Sequence, residues 1–303
     1  MTGEKWSGRS LGSRFQHQIF YWLIRRGGPW AAYFLLYPVV FWYTMKILAV
    51  RGFYPYLVRR FPGAGRLRRL GQAFRLNLAL GQTLVDRSIQ GLTGQVEARA
   101  AAGTAETLDE LLAEGRGLVI LTAHVGAWQS GLIWLGRAKV PVNIVWLPQE
   151  NFLPRLHFER DFQAAAPRRL DAAEPGLAMA AAASALLNGE IVVFMADRVR
   201  PDDTLTVRAD FLGAEIKLPG GPFHLAARLG SPLAVILSWR QGPGRMTGRF
   251  FKVIRPDPAP DSAVAPRTAP DLRPLAEAFA GALTDFVSEH PFQFFNFHDL
   301  WSD

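Results

Sequence analysis

One histidine directly follows an apolar run near the middle of the chain. The run Leu118–Thr122 continues as Ala-His-Val-Gly-Ala-Trp-Gln, which places His124, Gly126 and Gln129 in one short stretch. Buried strands of α/β sheets tend to present reactive groups at their carboxyl ends. A histidine at such an end can act as a general base, because imidazole titrates close to neutral pH. His124 is therefore the main catalytic candidate, and a hydrogen-bonded core histidine is the alternative.

Two neighbours would support this histidine. Gly126 places no side chain beside the imidazole, so a substrate or an oxyanion would be able to approach the backbone there. The N–H groups of residues 126–128 would open a helix, and helix starts stabilise anions. The side-chain carbonyl of Gln129 can accept a hydrogen bond from Nδ1–H of His124, although it cannot neutralise an imidazolium.

Four further motifs follow in order along the second half of the chain. They are Phe-Met-Ala-Asp-Arg at 194–198, Asp-Phe-Leu-Gly at 210–213, Pro-Gly-Gly-Pro-Phe-His-Leu-Ala at 219–226 and Gly-Ser-Pro at 230–232. With the stretch 124–129 and the hydrophobic N-terminus, their order and spacing resemble the lysophospholipid acyltransferase superfamily, and most closely its branch of late lipid A (lauroyl and myristoyl) acyltransferases. The stretch 293–301 resembles a sub-branch associated with polyene and related acyl-chain pathways.

The resemblance implies acyl transfer that needs no metal and no cofactor. The histidine would take a proton from a hydroxyl or amine of a lipid acceptor, which attacks the thioester of an acyl carrier protein or coenzyme A. In that family an acidic residue five positions after the histidine orients it, and this chain has Gln129 there. Three readings stay open: Gln129 suffices, Glu150 or Asp197 substitutes because both lie at predicted strand ends, or the site only binds lipid or acyl chains. Hydrolysis by a water that His124 activates is a further reading.

The remaining candidates would bind the substrate. Arg198 stands where the lipid A branch commonly has Gln, and its guanidinium matches phosphate or carboxylate with two hydrogen bonds. An ion pair with Asp202 or Asp203 is the alternative for Arg198. Phe211 and Phe223 would line an acyl groove or belong to the core. The expected substrate-binding residues are Gly126, Arg155, Asp197, Arg198, Phe211, Gly213 and Phe223.

The composition excludes thiol chemistry and gives no sign of a metal site. The chain has no cysteine, which rules out disulfides, thiol catalysis and cysteine-ligated metals. His157, His224 and His298 lack the spacing of any known set of metal ligands, so we expect no metal.

The first quarter of the chain is basic and strongly apolar. Residues 1–75 contain 13 Lys or Arg and one Glu, a net charge of +12, whereas the rest of the 303 residues has −4. Residues 30–50 are almost wholly apolar, close to the roughly 20 residues that span a bilayer. Because Pro38 and Lys46 interrupt this stretch, a helix in the bilayer interface or a buried core helix is an alternative to a span. These features favour membrane lipids over nucleic acid as partners, and we expect the cytoplasmic face of the inner membrane.

After residue 117 the pattern predicts an α/β fold. Short apolar runs alternate with helical patterns, which is typical of a central mixed sheet with helices on both faces, and the resemblance implies a glycerolipid-acyltransferase type of sheet. We predict a membrane-associating helical segment at 1–75 and an acyltransferase-like α/β domain at 76–303. Thr107 and Glu110 match a capping box. Predicted strands are 117–122, 140–146, 191–196, 206–211, 215–218, 233–239 and 249–254, and predicted helices after residue 100 are 107–114, 127–137, 153–165, 176–187, 222–229 and 272–289.

Overall fold

The computed structural model describes residues 14–128, 133–146, 167–200, 203–256 and 269–302. Three helical segments come first, the first of which is kinked at Gly28 by a φ of +72°, and strands and helices follow them. In chain order the elements are α1 (Arg14–Arg51), α2 (Pro55–Arg60), α3 (Arg66–Thr93), β1 (Glu97–Ala100), α4 (Thr104–Ala113), β2 (Leu118–Thr122), a 3₁₀ helix (Ile133–Arg137), β3 (Val142–Trp146), β4 (Arg168–Asp171), α5 (Pro175–Leu187), β5 (Ile191–Met195), β6 (Thr206–Phe211), β7 (Ala214–Pro219), α6 (Gly221–Leu229), β8 (Leu233–Gly242), β9 (Arg245–Ile254) and α7 (Arg273–Glu289).

Seven of the described strands form one mixed sheet, with the order β1-β9-β8-β2-β5-β3-β4. Strands β8, β2, β5, β3 and β4 run parallel, whereas β9 runs antiparallel to β8 and β1 runs parallel to β9. Strands β6 and β7 form a separate antiparallel hairpin. The predicted mixed α/β sheet is confirmed.

The central strands are buried on both faces, so their alternate side chains enter two different cores. On one face, Leu121 and Phe194 share a cluster with side chains of α6 and α7. On the other face, Leu118 and Ile120 pack with Leu111 of α4. Helices therefore cover both faces of the sheet, as the alternating pattern predicts.

The two edge strands, β1 and β4, are missing from the sequence prediction. Their sequences are Glu-Ala-Arg-Ala and Arg-Arg-Leu-Asp, and their side chains are exposed or half-buried. An edge strand with a solvated surface needs no apolar run, so the pattern that identifies central strands does not detect it.

Two helix predictions near the sheet differ from the structure. The capping box is wrong, because α4 begins at Thr104 after a left-handed Gly103, and Thr107 Oγ1 donates to the Gly103 carbonyl at 2.8 Å. Of the predicted helix 127–137, residue 128 is helical and Ile133–Arg137 form a 3₁₀ helix, whereas residues 129–132 lie outside the described residues. The predicted helix 153–165 lies outside the described residues.

One face of α1 packs along α3. Gly81 of α3 lies close against α1, since a Cβ there would lie 2.4 Å from Leu36 Cδ2 unless that side chain shifted. The predicted division after residue 75 falls inside α3 and stays a prediction. The buried side chains that α1 and α3 bring together are Ile24, Ala32, Tyr33, Leu36, Val40, Val85 and Ile89.

A buried carboxylate joins these helices to the sheet. Asp86 of α3 accepts hydrogen bonds from the hydroxyl of Tyr33 in α1 and from Nε of Arg240 in β8, the latter at 2.5 Å. The backbone N–H of Gly244, in the turn after β8, donates to Asp86 at 3.0 Å. The N-terminal helices are therefore bound to the sheet by polar contacts as well as by apolar packing.

Candidate active site

His124 and Asp197 lie at the carboxyl ends of two adjacent parallel strands. In the register of β2 and β5, Thr122 lies beside Met195. Each of the two polar residues follows its strand by two positions, so both leave the sheet at the same edge. Register alone thus brings together side chains that are 73 residues apart in sequence.

Both carboxylate oxygens of Asp197 contact His124. The imidazole Nδ1 lies 3.0 Å from Oδ1 and 3.1 Å from Oδ2, and the backbone N–H of His124 donates to Oδ2 at 3.0 Å. An ionised carboxylate only accepts hydrogen bonds, so Nδ1 carries the proton and Nε2 is the basic nitrogen. The imidazole side chain is 22% exposed and the carboxylate only 1%, so a substrate can reach the base but not its partner.

The surroundings of Asp197 keep it ionised. Burial raises its pKa, but the charge and hydrogen bonds of His124 and the charge of Arg198 outweigh burial and hold that pKa well below its usual range. An anion held beside Nδ1 also stabilises the imidazolium that forms when Nε2 takes a proton. The two residues therefore form a base and its charged partner.

Asn296 and Arg198 complete the contacts around the carboxylate. Nδ2 of Asn296 donates to Asp197 Oδ2 at 2.6 Å. Nε of Arg198 donates to Asn296 Oδ1 at 2.5 Å, and Nη2 donates to the carbonyl of Phe295 at 3.1 Å. These protein contacts explain Arg198 structurally, and its role toward a substrate anion stays a prediction. Asp203, one of its two suggested ion-pair partners, instead contacts Arg200.

The C-terminal segment 293–296 runs beside the histidine loop as a short antiparallel pair. The N–H of Gly126 donates to the carbonyl of Gln293 at 2.7 Å, and the N–H of Phe295 donates to the carbonyl of His124 at 2.9 Å. Because Phe295 is fixed in this way, the next residue, Asn296, is held against Asp197.

Two side chains anchor this segment to the rest of the fold. Gln293 accepts from the N–H of Arg240 at 2.8 Å and donates to the carbonyl of the same residue at 3.1 Å. Phe294 is fully buried, with ring centroids 4.5 Å from Tyr56 and 5.4 Å from Phe211. This aromatic segment therefore docks on the core of the protein.

Close packing against β8 explains why position 126 is a glycine. Its φ is +47°, and a Cβ there would lie 2.0 Å from the carbonyl oxygen of Ser238 in β8. The N–H groups of Gly126 and Ala127 are already donated, to Gln293 and Ser238. The prediction that these two N–H groups bind an anion is therefore wrong, whereas the approach of a substrate to the backbone at Gly126 stays a prediction.

Aromatic side chains border the imidazole. The ring of Trp128 lies 5.7 Å from that of His124 and 6.0 Å from that of Phe295, between centroids. His298 lies close enough to the site for the charges of Arg198, Asp197 and His124 to affect its pKa. Burial first, and then the charge of Arg198, lower the pKa of His298 below its ordinary value.

Three residues predicted to bind substrate are accounted for by the fold. Phe211 and Phe223 have no exposed surface, and the Phe211 ring stacks 5.7 Å from Trp301. Both belong to the core, the alternative that the sequence left open for them, and their role in the wall of an acyl groove stays a prediction. Gly213 has φ +78° in the turn of the β6–β7 hairpin, a conformation that favours glycine.

Gln129, Glu150 and Arg155 lie outside the described residues, so their predicted roles stay predictions. Within the part of the chain that the structure describes, no group of three or more His, Asp or Glu side chains has the arrangement of a metal site.

Two residues of the site are missing from the sequence prediction. Trp128 lies four residues after His124, and nothing in the sequence shows that its ring packs beside the imidazole. Asn296 lies 99 residues after Asp197, and its one signal is a polar side chain between phenylalanines in an aromatic tail.

Comparison with known proteins assigns the sequence to a family. The model of the family described as bacterial lipid A biosynthesis acyltransferase matches residues 89–303. Phosphatidylinositol mannoside acyltransferase of Mycobacterium tuberculosis, in strains H37Rv and CDC 1551, is 28% identical over 203 residues, which are 66% of this chain and 59% of the relative. The chain thus matches less than two thirds of that relative's length. The crystal structure of the 1-acyl-sn-glycerophosphate acyltransferase PlsC from Thermotoga maritima aligns with 86% of this chain and 98% of its own, with 14% identity and a TM-score of 0.39.

Proposed function

We infer that this chain, which belongs to the family of bacterial lipid A biosynthesis acyltransferases, transfers a fatty acyl chain from an acyl thioester to a hydroxyl or amine of a lipid acceptor. The observation that supports this most is the contact between His124 and Asp197, with Nδ1 3.0 Å from Oδ1. Position 129 is Gln, and we propose that Asp197 supplies the carboxylate that this position lacks.

In the proposed reaction, Nε2 of His124 takes the proton of the acceptor hydroxyl or amine as its oxygen or nitrogen attacks the thioester carbonyl. Asp197 holds Nδ1–H and stabilises the imidazolium. The new ester or amide bond forms, the carbon–sulfur bond breaks, and the leaving thiolate takes the proton from the imidazolium. Protons and electrons balance without an acyl-enzyme, a metal or a cofactor.

The opposing reading is an impaired protein that binds lipid or acyl chains without transferring them. It depends on Gln129 being the partner of His124 and failing as one. A buried, ionised carboxylate already on Nδ1 supports catalysis over impairment. Substituting Gln129→Glu separates the two readings: an impaired site would gain activity, whereas a site that uses Asp197 would not.

We propose that α1 rests on a membrane. The stretch Gln18–Ala49 is long and apolar enough to cross a bilayer, judged by length and composition alone. Tyr33, near its middle, is bonded to Asp86, which also binds Arg240 of the sheet. A helix bound to the α/β domain at its middle fits a position in the interface better than a span. The outward side chains are aromatic: Trp22, Trp30, Phe34, Tyr37, Phe41 and Trp42.

The proposed partners follow from the charge and the chemistry. The +12 charge of residues 1–75 would attract anionic lipid headgroups. We propose that acyl carrier protein or coenzyme A delivers the acyl chain, and for this reason we propose the cytoplasmic face of the inner membrane as the location of the domain.

The direct test of this function is His124→Ala in an assay with a defined acyl thioester and a lipid acceptor. Loss of a general base is expected to lower kcat by about 10²–10⁴-fold while the variant stays folded by circular dichroism. Full turnover by His124→Ala would overturn the proposal. Release of free fatty acid by the unaltered protein, with no acylated lipid, would identify a hydrolase instead.

A further inference from the structure

The carboxylate of Asp197 is also held by a side chain of the C-terminal segment. Asn296 is 1% exposed, and its Nδ2 donates to Asp197 Oδ2 at 2.6 Å. That oxygen also accepts the backbone N–H of His124. The direction in which Asp197 faces Nδ1 therefore depends on a residue far away in sequence.

The orientation of the Asn296 amide is itself determined by Arg198. A guanidinium can only donate hydrogen bonds, so the oxygen of the amide must face Nε of Arg198, at 2.5 Å. The NH₂ group must then face Asp197, which as an anion only accepts. Arg198 thus donates to Asn296, Asn296 donates to Asp197, and Asp197 also accepts from Nδ1–H of the imidazole.

Backbone hydrogen bonds also fix the position of the Asn296 amide. Phe295 donates its N–H to the carbonyl of His124 at 2.9 Å and accepts Nη2 of Arg198 at 3.1 Å on its own carbonyl. Residues before and beside Asn296 are thus bound to the two strand ends that present the base and its carboxylate.

We propose that Asn296 is a positioning residue for the acyl transfer, delivered by the C-terminal segment, and that Arg198 orients its amide. This inference rests on the proposed function. Asn296 keeps Asp197 ionised and aimed at Nδ1, so that Nε2 stays basic and the imidazolium is stabilised as it forms. The C-terminal segment therefore completes the catalytic machinery, although the base and its carboxylate follow two central strands of the sheet.

The chain contains a matched control for this amide. Asn143 of β3 is also buried, and its Nδ2 donates to the carboxylate of Glu190 at 2.8 Å. Asn143 lies near the amino end of its strand and Glu190 immediately precedes β5, so this pair is at the edge of the sheet opposite His124. Substituting Asn143→Ala removes the same type of hydrogen bond away from the site.

The experiment measures kcat, KM and the pH profile of acyl transfer for Asn296→Ala, Asn296→Asp and Asn143→Ala. For Asn296→Ala we expect kcat to fall about 10–100-fold with little change in KM, as is typical when the support of a catalytic group is removed. Asn296→Asp keeps the shape but loses the amide donor and places a second carboxylate against Asp197. Two carboxylates at this distance share one proton, so we expect kcat to fall at least as far as in Asn296→Ala and the pH profile to change as the pair titrates. Asn143→Ala lowers the Tm but leaves kcat and the pH profile unchanged.

An Asn296→Ala variant that is folded and keeps the unaltered kcat would overturn the inference, as would an equal loss of kcat in Asn143→Ala. If Asn296→Ala does not fold, the nearly isosteric Asn296→Asp decides, and an unaltered kcat and pH profile in that variant contradict the proposal. Activity retained by His124→Ala marks failure of the proposed function, a result distinct from these.

Discussion

At the scale of single residues, the site depends on keeping a deeply buried carboxylate charged. Asp197 receives hydrogen bonds from Nδ1–H and the backbone N–H of His124 and from Nδ2 of Asn296. Removing a carboxylate from water costs several kcal/mol, and each hydrogen bond to a charged group offsets about 1.5–3 kcal/mol. The three donors that keep the anion stable also fix its direction, so stability and catalysis use the same contacts.

Asp197 is therefore expected to give the protein a pH-dependent stability. Its pKa in the fold lies below the ordinary 3.8, so the ionised carboxylate stabilises the fold fully above that value and loses this effect as the pH falls toward the lower pKa. The excess unfolding free energy of the unaltered protein over Asp197→Asn should shrink between about pH 5 and pH 2. Urea unfolding of both proteins across this range measures it, and a constant difference would argue against an ionised Asp197.

At the scale of elements, two adjacent strand ends and one returning tail create the site. The apolar runs of β2 and β5 are visible in the sequence because both strands are buried on both faces. Their adjacency is a property of the sheet order, so the sequence shows Asp197 as one of two candidate carboxylates and not as the one beside His124. The tail contact of Asn296 spans 99 residues, and no local pattern predicts it.

The turn after β2 is packed so closely on β8 that Gly126 is required for folding. Gly126→Ala would place a Cβ 2.0 Å from the backbone oxygen of Ser238, at a φ of +47° that disfavours alanine. We expect a loss of more than about 2 kcal/mol in the free energy of unfolding, measured by chemical denaturation.

Gly213→Ala is the matched control for this turn. Gly213 also has a positive φ, +78°, but a Cβ there would meet nothing within 4 Å. Its cost should be limited to the left-handed backbone, about 1 kcal/mol. Equal losses of unfolding free energy in the two alanine variants would show that contact with β8 is not the reason why position 126 needs a glycine.

At the scale of the whole molecule, a helical layer, a mixed sheet and an aromatic tail meet around one histidine. Helix α1 buries one face on α3 and leaves the other exposed, with Phe34 82% and Trp30 72% exposed. Exposed rings of this size in a row are unusual on a monomeric protein and mark a surface that binds something apolar. The basic charge of the same region favours an anionic bilayer as that partner.

This surface gives a prediction about membrane binding. The triple substitution Trp30→Ser, Phe34→Ser and Phe41→Ser should weaken binding to vesicles of anionic phospholipid at least about tenfold, because three exposed rings no longer enter the interface. Vesicle sedimentation measures the loss, with circular dichroism to check folding.

Two leucines on α5 provide the control. Leu177 and Leu187 are 71% and 74% exposed, on a helix that packs against the sheet and not on α1. Their replacement by Ser should leave vesicle binding unchanged. An equal loss in this control, or unchanged binding in the triple variant, would contradict the assignment of α1 as the membrane surface.

The central claim, that Asp197 is the charged partner of His124, is tested most directly by comparing kcat for acyl transfer in Asp197→Asn and Gln129→Ala. The contact between Asp197 and Nδ1, at 3.0 Å, predicts a fall of about 10²–10⁴-fold for Asp197→Asn, since the amide keeps the shape but not the charge. Gln129→Ala should stay within about tenfold of the unaltered protein. Near-normal turnover by Asp197→Asn, or a larger loss in Gln129→Ala than in Asp197→Asn, would contradict it.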